Sequence, residues 1–251
     1  MSADSRVRRL GVVTAMPEEH DAILSRGTCP RRERGGIIRV RFGASEVLLA
    51  RVGDGAVRAR RRAAQLCDDH RPDALIGAGI AGALSPELSA GELVIARRIR
   101  DRAGDTPAPD PAMLARALSA DGVCGVTLVN VSKPLVSPDD KAALASSADG
   151  EPAAADMESA AWARAASERG VPYLVIRAIG DEAGERLPDY LPSCMDREGG
   201  LRRSAVVARA LSSPWTIPEL MRLRRRVLQV TTRLALFVEW MLRGEENSKI
   251  S

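Results

Sequence analysis

The chain is poor in the residues that most ligand chemistries need. Aromatic side chains make up 3% of it, with four cysteines and two histidines in 251 residues. Cys29, Cys67, Cys124 and Cys194 stand far apart, without CxxC or Cys/His spacing. Neither a zinc site nor a disulfide framework is expected from them. The scarcity of aromatics argues against stacking on single-stranded nucleic acid. No apolar run reaches the ~20 residues of a membrane span. The opening MSADSRVRRL has no signal-like apolar core. Internal repeats and low-complexity linkers are missing too, and residues 101–112 are the loosest stretch. A cytoplasmic protein without a metal is expected.

What is present suits a folded α/β chain. Hydrophobic residues make up 45%, enough for a substantial core. The net charge of +4 is mild and permits, without demanding, an anionic partner. Apolar runs at LGVVTA (10–15), 37–42, 47–52, DALIGAGIAGAL (73–84), GELVIARRI (91–99), GVTLVNV (125–131) and VPYLVIRAI (171–179) read as strands. Helical patterns lie between them, at 17–24, 56–67, 109–119, 138–147 and 156–170. The alternation predicts an α/β fold, three layers (α/β/α) around a mixed central sheet. Two units are expected: an α/β domain over 1–213 and an amphipathic basic helix within 214–251, starting at Ser213-Pro214 or at Pro218.

Gly77-Ala78-Gly79-Ile80-Ala81-Gly82 has the spacing G-x-G-x-x-G. Pro86 and Gly91 leave no room for the long helix that a dinucleotide site needs after that turn. The expectation is a glycine turn that presents backbone N–H groups to a ligand. Three acidic spots follow apolar strands: Glu18/Glu19, Asp156/Glu158 and Asp181/Glu182. Strand ends of an α/β sheet converge on one edge, where ligands bind. Carboxylates there can hold ribose hydroxyls, exchange protons and balance an oxocarbenium-like charge. Each acid also has a plain structural reading as a helix cap or a turn residue.

The stretches AMPEE (15–19), VGDG (52–55), 72–96, ADMESAA (155–161) and VPYLVIRAIGDEA (171–183) resemble the nucleoside phosphorylase and nucleosidase superfamily. The specific likeness is to methylthioadenosine/S-adenosylhomocysteine nucleosidases. The resemblance implies cleavage of a purine N-glycosidic bond. In it, Asp181 matches the acid that protonates the purine at N7, and Glu19 the acid that activates the attacking water. Glu158 matches the ribose-hydroxyl carboxylate, with Met157 beside the sugar. Gly79, Ile80 and Ala81 match the backbone near the ribose. Where the family stacks an aromatic on the base, this chain offers Leu135 and Val136. The short loop after 91–99, the LPDYLPSCMDREGGL stretch and the arginine-rich C-terminal helix are most similar to the hopanoid-associated phosphorylases. That branch implies an adenine base with a large polycyclic lipid on the 5′ side.

No cofactor is implied, apart from inorganic phosphate as co-substrate if the reaction is phosphorolysis. Arg51, Arg58 and Arg177 are the candidates to bind it. The expected partner is a small-molecule nucleoside, lipid-linked in the hopanoid reading; nucleic acid is not expected. A homo-oligomer is expected. The terminal helix either packs on the core or rests on the inner membrane. A non-catalytic nucleoside-binding protein on the same fold is the competing reading.

Overall fold

The computed structural model describes residues 9–53, 55–196, 200, 202–212 and 217–243. The chain begins with β1 (Arg9–Thr14), whose last five residues are buried. Such an unbroken apolar run suits a strand covered on both faces. Pro17 then opens α1 (Pro17–Leu24), where its missing N–H costs nothing. An antiparallel set follows, β2 (Thr28–Arg32), β3 (Ile37–Phe42) and β4 (Ser45–Arg51). β2 reads TCPRR and is exposed at every position, so it has no apolar alternation to betray it.

Next come α2 (Ala56–His70), β5 (Ala74–Ala83), β6 (Leu93–Asp101) and β7 (Gly104–Asp105). Then α3 (Pro111–Leu118), β8 (Val123–Asn130), α4 (Pro138–Ala145), β9 (Ala153–Asp156), α5 (Ser159–Ser167) and β10 (Tyr173–Asp181). Capping explains two of the helix starts. Asp110 accepts from the Met113 N–H at 2.9 Å, and Ser137 Oγ from the Asp140 N–H at 3.0 Å. The chain ends in α6 (Arg203–Ser212) and α7 (Ile217–Leu242).

The sheet runs β10-β6-β8-β9-β5-β1-β4-β3-β2, and β10 also pairs with β5. Five strands therefore close on themselves, and β1 to β4 extend from β5 as a wing. Parallel and antiparallel pairs are mixed. One face is covered by α2 and α5, through Ala59, Ala63, Leu66 and Trp162. The other is covered by α1, α3 and α7, through Ile23, Ala117, Val230, Leu234 and Val238. This is the expected three-layer architecture.

Two features of the sheet position the site. First, GAGIAG is no turn: Ala74–Ala83 is one continuous strand. Its glycines make room for neighbours. A Cβ on Gly77 would lie 2.4 Å from the Trp162 ring, and one on Gly79 2.3 Å from Arg177 Nη1. Second, one edge of β5 changes partner along its length. β1 pairs with it up to Gly77, and β9 pairs with it from Gly82. A fork opens between those points, at the carboxyl ends of β1 and β9.

The C-terminal helix resolves into two halves. Val230, Leu234, Val238, Met241 and Leu242 are buried in the shared core. Before them, Arg222, Arg224 and Arg225 are exposed, as are Met221 and Leu228. The boundary expected between 213 and 214 lies outside the described residues.

Candidate active site

Glu19 is the third residue of α1, and its side chain folds back over the helix start. Oε2 accepts from the N–H groups of Ala15 (3.0 Å) and Met16 (2.9 Å). Oε1 accepts from the Ile80 N–H (3.0 Å), which the fork in β5 leaves available. Burial raises its pKa to about 7, while those N–H groups and nearby Arg177 oppose the rise. Glu18, one residue earlier, is half-buried and does not line the cavity.

Glu158 occupies the position before α5 but does not cap it. That bond goes to Asp156, whose Oδ2 accepts from the Ser159 N–H at 3.1 Å. Glu158 instead reaches across the fork to accept from the Gly55 N–H at 2.9 Å. Gly55 has φ +94°, a conformation that glycine adopts without strain. Burial, together with the Asp156 charge, pushes Glu158 up to about 8; Arg177 pulls the other way. The helix-cap reading thus belongs to Asp156 and not to Glu158.

Asp156 is further held by Arg177, whose Nε donates at 2.9 Å and whose Nη2 also makes a close bond. The guanidinium lies 4.5 Å over the Trp162 ring. Of the expected phosphate ligands, Arg177 is therefore a buried ion-pair partner. Arg58 pairs with Asp196 at 2.5 Å, and Arg51 is exposed. None of these three lines the cavity.

Asp181 ends β10, opposite Gly82 of β5. A Cβ on Gly82 would lie 2.9 Å from Asp181 Oδ2, so the glycine is what lets the carboxyl sit against the strand. Lys141 of α4 donates to the same oxygen at 2.6 Å. Burial raises the Asp181 pKa, the Lys141 charge and hydrogen bond oppose it, and Glu185 adds to the rise. The sequence offered no sign of Lys141. It follows two aspartates on a short helix, the usual pattern of a solvated face.

These groups surround one cavity of about 270 Å³. Glu19, Ile80, Ala81, Leu135, Met157, Glu158 and Asp181 line it, and so are brought together. Gly79 and Val136 are not in its wall. Gly79 lies behind it, close to Arg177 and Glu19, and the Val136 carbonyl accepts from the Leu187 N–H at 2.9 Å. The rest of the lining is mostly aliphatic. Leu187, Leu191, Met195 and Leu223 form a wall drawn from the segment after β10 and from α7. No periodicity marks those leucines as site residues, because a loop and a distant helix supply them.

Three carboxyl groups, one ending a strand and two at helix starts that follow strands, are raised by burial around an apolar cavity, an arrangement able to exchange protons with a small molecule. Residues 9–197 match the model of the phosphorylase superfamily, and the chain belongs to that family. It is 28% identical over 205 residues to the 5′-methylthioadenosine/S-adenosylhomocysteine nucleosidase of Chromohalobacter salexigens, covering 71% of this chain and 86% of that one. The Geobacillus kaustophilus nucleosidase of the same name is 28% identical over 201 residues, covering 70% and 86%.

Among solved structures, the Campylobacter jejuni nucleosidase superposes with a TM-score of 0.73 at 19% identity, covering 95% of this chain and 100% of that one. The S. pneumoniae nucleosidase, solved with the transition-state inhibitor MT-ImmA, gives 0.71 at 22%, covering 94% and 99%. The fold is thus that of the nucleosidases, and the chain is an enzyme of the phosphorylase superfamily.

Proposed function

We propose that the protein hydrolyses the N-glycosidic bond of an adenine nucleoside with an apolar 5′ substituent, adenosylhopane being the candidate. The observation that carries this reading is the convergence of Glu19, Glu158 and Asp181 on one cavity. Asp181, as the neutral acid, gives its proton to purine N7. The C1′–N9 bond breaks, and its electron pair goes to the purine ring. Positive charge grows on the ribose, and Glu158 beside the sugar hydroxyls balances it in its ionised form. The Glu19 carboxylate takes a proton from water as the water oxygen bonds to C1′. Met157 packs on the sugar.

Two features support the finer points. Among the described residues lining the cavity, Lys141 is the one cation, and it is already bonded to Asp181. This favours water over phosphate as nucleophile. The aliphatic wall of Leu187, Leu191, Met195 and Leu223 suits a hydrocarbon 5′ group. The exposed arginines of α7 suit contact with an anionic membrane that holds such a substrate.

Adenine release from 5′-alkyl adenosines, with and without inorganic phosphate, is the test. The expected result is equal turnover in both, with the unphosphorylated 5-alkyl ribose as the second product. Turnover that requires phosphate would replace hydrolysis with phosphorolysis. Binding without adenine release under either condition would leave a nucleoside-binding protein.

A further inference from the structure

Lys141 has its side chain 1% exposed, and it lines the cavity. Its ammonium donates to Asp181 Oδ2 at 2.6 Å, to the Glu182 carbonyl at 2.6 Å and to the Glu185 carbonyl at 3.0 Å. An ammonium has three N–H donors, and all three are spent on one turn of five residues. A buried lysine is costly unless paired and fully hydrogen-bonded, and here both conditions are met. The bonds are also unevenly aimed for a purely structural anchor: two acceptors are backbone carbonyls, and the third is the side chain that lines the cavity.

We infer that Lys141 is a positioning residue for the general acid: it holds the Asp181 carboxyl by Oδ2 and stabilises the carboxylate that forms when the proton leaves for the purine. This rests on the nucleosidase reading above. The balance is simple. Before the step, Asp181 is neutral and Lys141 cationic. In the step the carboxyl proton moves to N7, and negative charge is left on Asp181. The Lys141 cation is already in place for that charge, so no rearrangement is needed as it develops. Lys141 loses no proton and touches no reacting atom.

Removing the cation has two opposite consequences. The neutral acid persists to higher pH, because the group opposing the burial-driven rise is gone. At the same time the acid becomes a weaker proton donor, so the chemical step slows. The other charges facing Asp181 are Glu185, in the turn after it, and Arg226 of α7, which pairs with Glu185 and reaches the Gly180 carbonyl at 3.4 Å. Glu182 accepts from the Ala90 N–H at 3.3 Å, and β5 presents the uncharged Gly82. These stay unchanged in a Lys141 variant, so they do not mimic the effect.

The test is the pH profile of kcat for wild type, Lys141→Met, Lys141→Gln and Lys141→Arg, with melting temperature as a folding control. Gln keeps two donors and loses the charge, so it serves if Met does not fold. Wild type must first release adenine; if it does not, the nucleosidase reading has failed and not this one. The expected result for Met or Gln is a kcat reduced by roughly 10- to 100-fold, less than the roughly 100- to 10,000-fold of losing the general acid itself, with the alkaline limb moved to higher pH. Arg should keep the limb where it is.

A second readout uses a riboside of 4-nitrophenol, whose leaving group needs no protonation. There the Lys141 variants and Asp181→Asn should recover together towards wild-type turnover. A lower kcat with an unmoved alkaline limb and no recovery would overturn the inference and leave Lys141 a structural tie. So would wild-type kinetics in folded Gln.

Discussion

At the scale of the residue, Glu158 separates function from stability most cleanly. Its carboxyl group is raised from the usual 4.5 to about 8, mainly by burial. A group whose folded pKa is raised stabilises the fold below its unfolded pKa and loses that contribution as pH climbs through the folded value. Ionising Glu158 therefore weakens the protein between about pH 4.5 and 8, each tenfold difference in acid strength being worth about 1.4 kcal/mol. Glu158→Gln cannot ionise, and its amide oxygen can still accept from Gly55. We expect the variant to lose most turnover while melting several degrees above wild type at pH 9, with the gap narrowing towards pH 5. Thermal melts at the two pH values, beside the adenine assay, check this. A variant that melts lower at pH 9 would make Glu158 a structural acid after all.

At the scale of the element, β5 is the strand on which the site is built. Its glycines are spaced so that larger groups lie against the backbone: Trp162 at Gly77, Arg177 and Glu19 at Gly79, Asp181 at Gly82. Gly79→Ala is the most informative change. The new methyl would meet Arg177 Nη1 at 2.3 Å and Glu19 Oε1 at 3.0 Å. Arg177 cannot retreat easily, since Asp156 holds it from one side and the Trp162 ring lies beneath it. Overpacking of this kind costs about 1–3 kcal/mol. The variant should melt several degrees lower, and turnover should fall because Glu19 shifts. Gly184→Ala, where no heavy atom lies within 4 Å of the added carbon, should change stability by less than about 0.5 kcal/mol. Equal melting temperatures for the two variants would refute this account of β5.

At the scale of the whole molecule, α7 joins the core to the mouth of the cavity. Its second half is core, so removing the helix would also remove Val230, Leu234 and Val238 from packing. Its first half sends Leu223 into the cavity wall while Arg222, Arg224 and Arg225 face solvent with Met221 and Leu228. No helix among the described residues is long and apolar enough to cross a membrane. The membrane contact proposed for α7 is therefore peripheral, and charge substitutions test it without unfolding the chain. Co-sedimentation with anionic vesicles should weaken by about 100-fold in the Arg222→Gln/Arg224→Gln/Arg225→Gln variant, at roughly 1 kcal/mol per basic residue. Neutral vesicles should bind both proteins poorly. Indifference of wild type to anionic lipid would leave this face to a second copy of the chain.

Most of the architecture was legible in the sequence, because buried parallel strands and capped helices are written in local pattern. β1, β5, β6, β8 and β10 are apolar runs, and Pro17, Asp110 and Ser137 mark helix starts. Glu19 and Asp181 were legible for the same reason: one stands shortly after the run of β1 and the other ends β10. β2 was not, since an exposed edge strand has no face to bury. The unbroken course of β5 through its glycines was not legible either, because glycine spacing says that room is needed but not what fills it. Trp162, Arg177 and Asp181 fill it from other elements. Lys141 and the Leu187, Leu191, Met195 and Leu223 wall were likewise invisible, as they meet Asp181 or the cavity only through long-range packing. Local sequence determined which segments are strands and where acids stand on them. The tertiary structure decided which acid caps a helix, which cation holds Asp181 and which leucines line the cavity, because those depend on contacts between residues far apart in the chain.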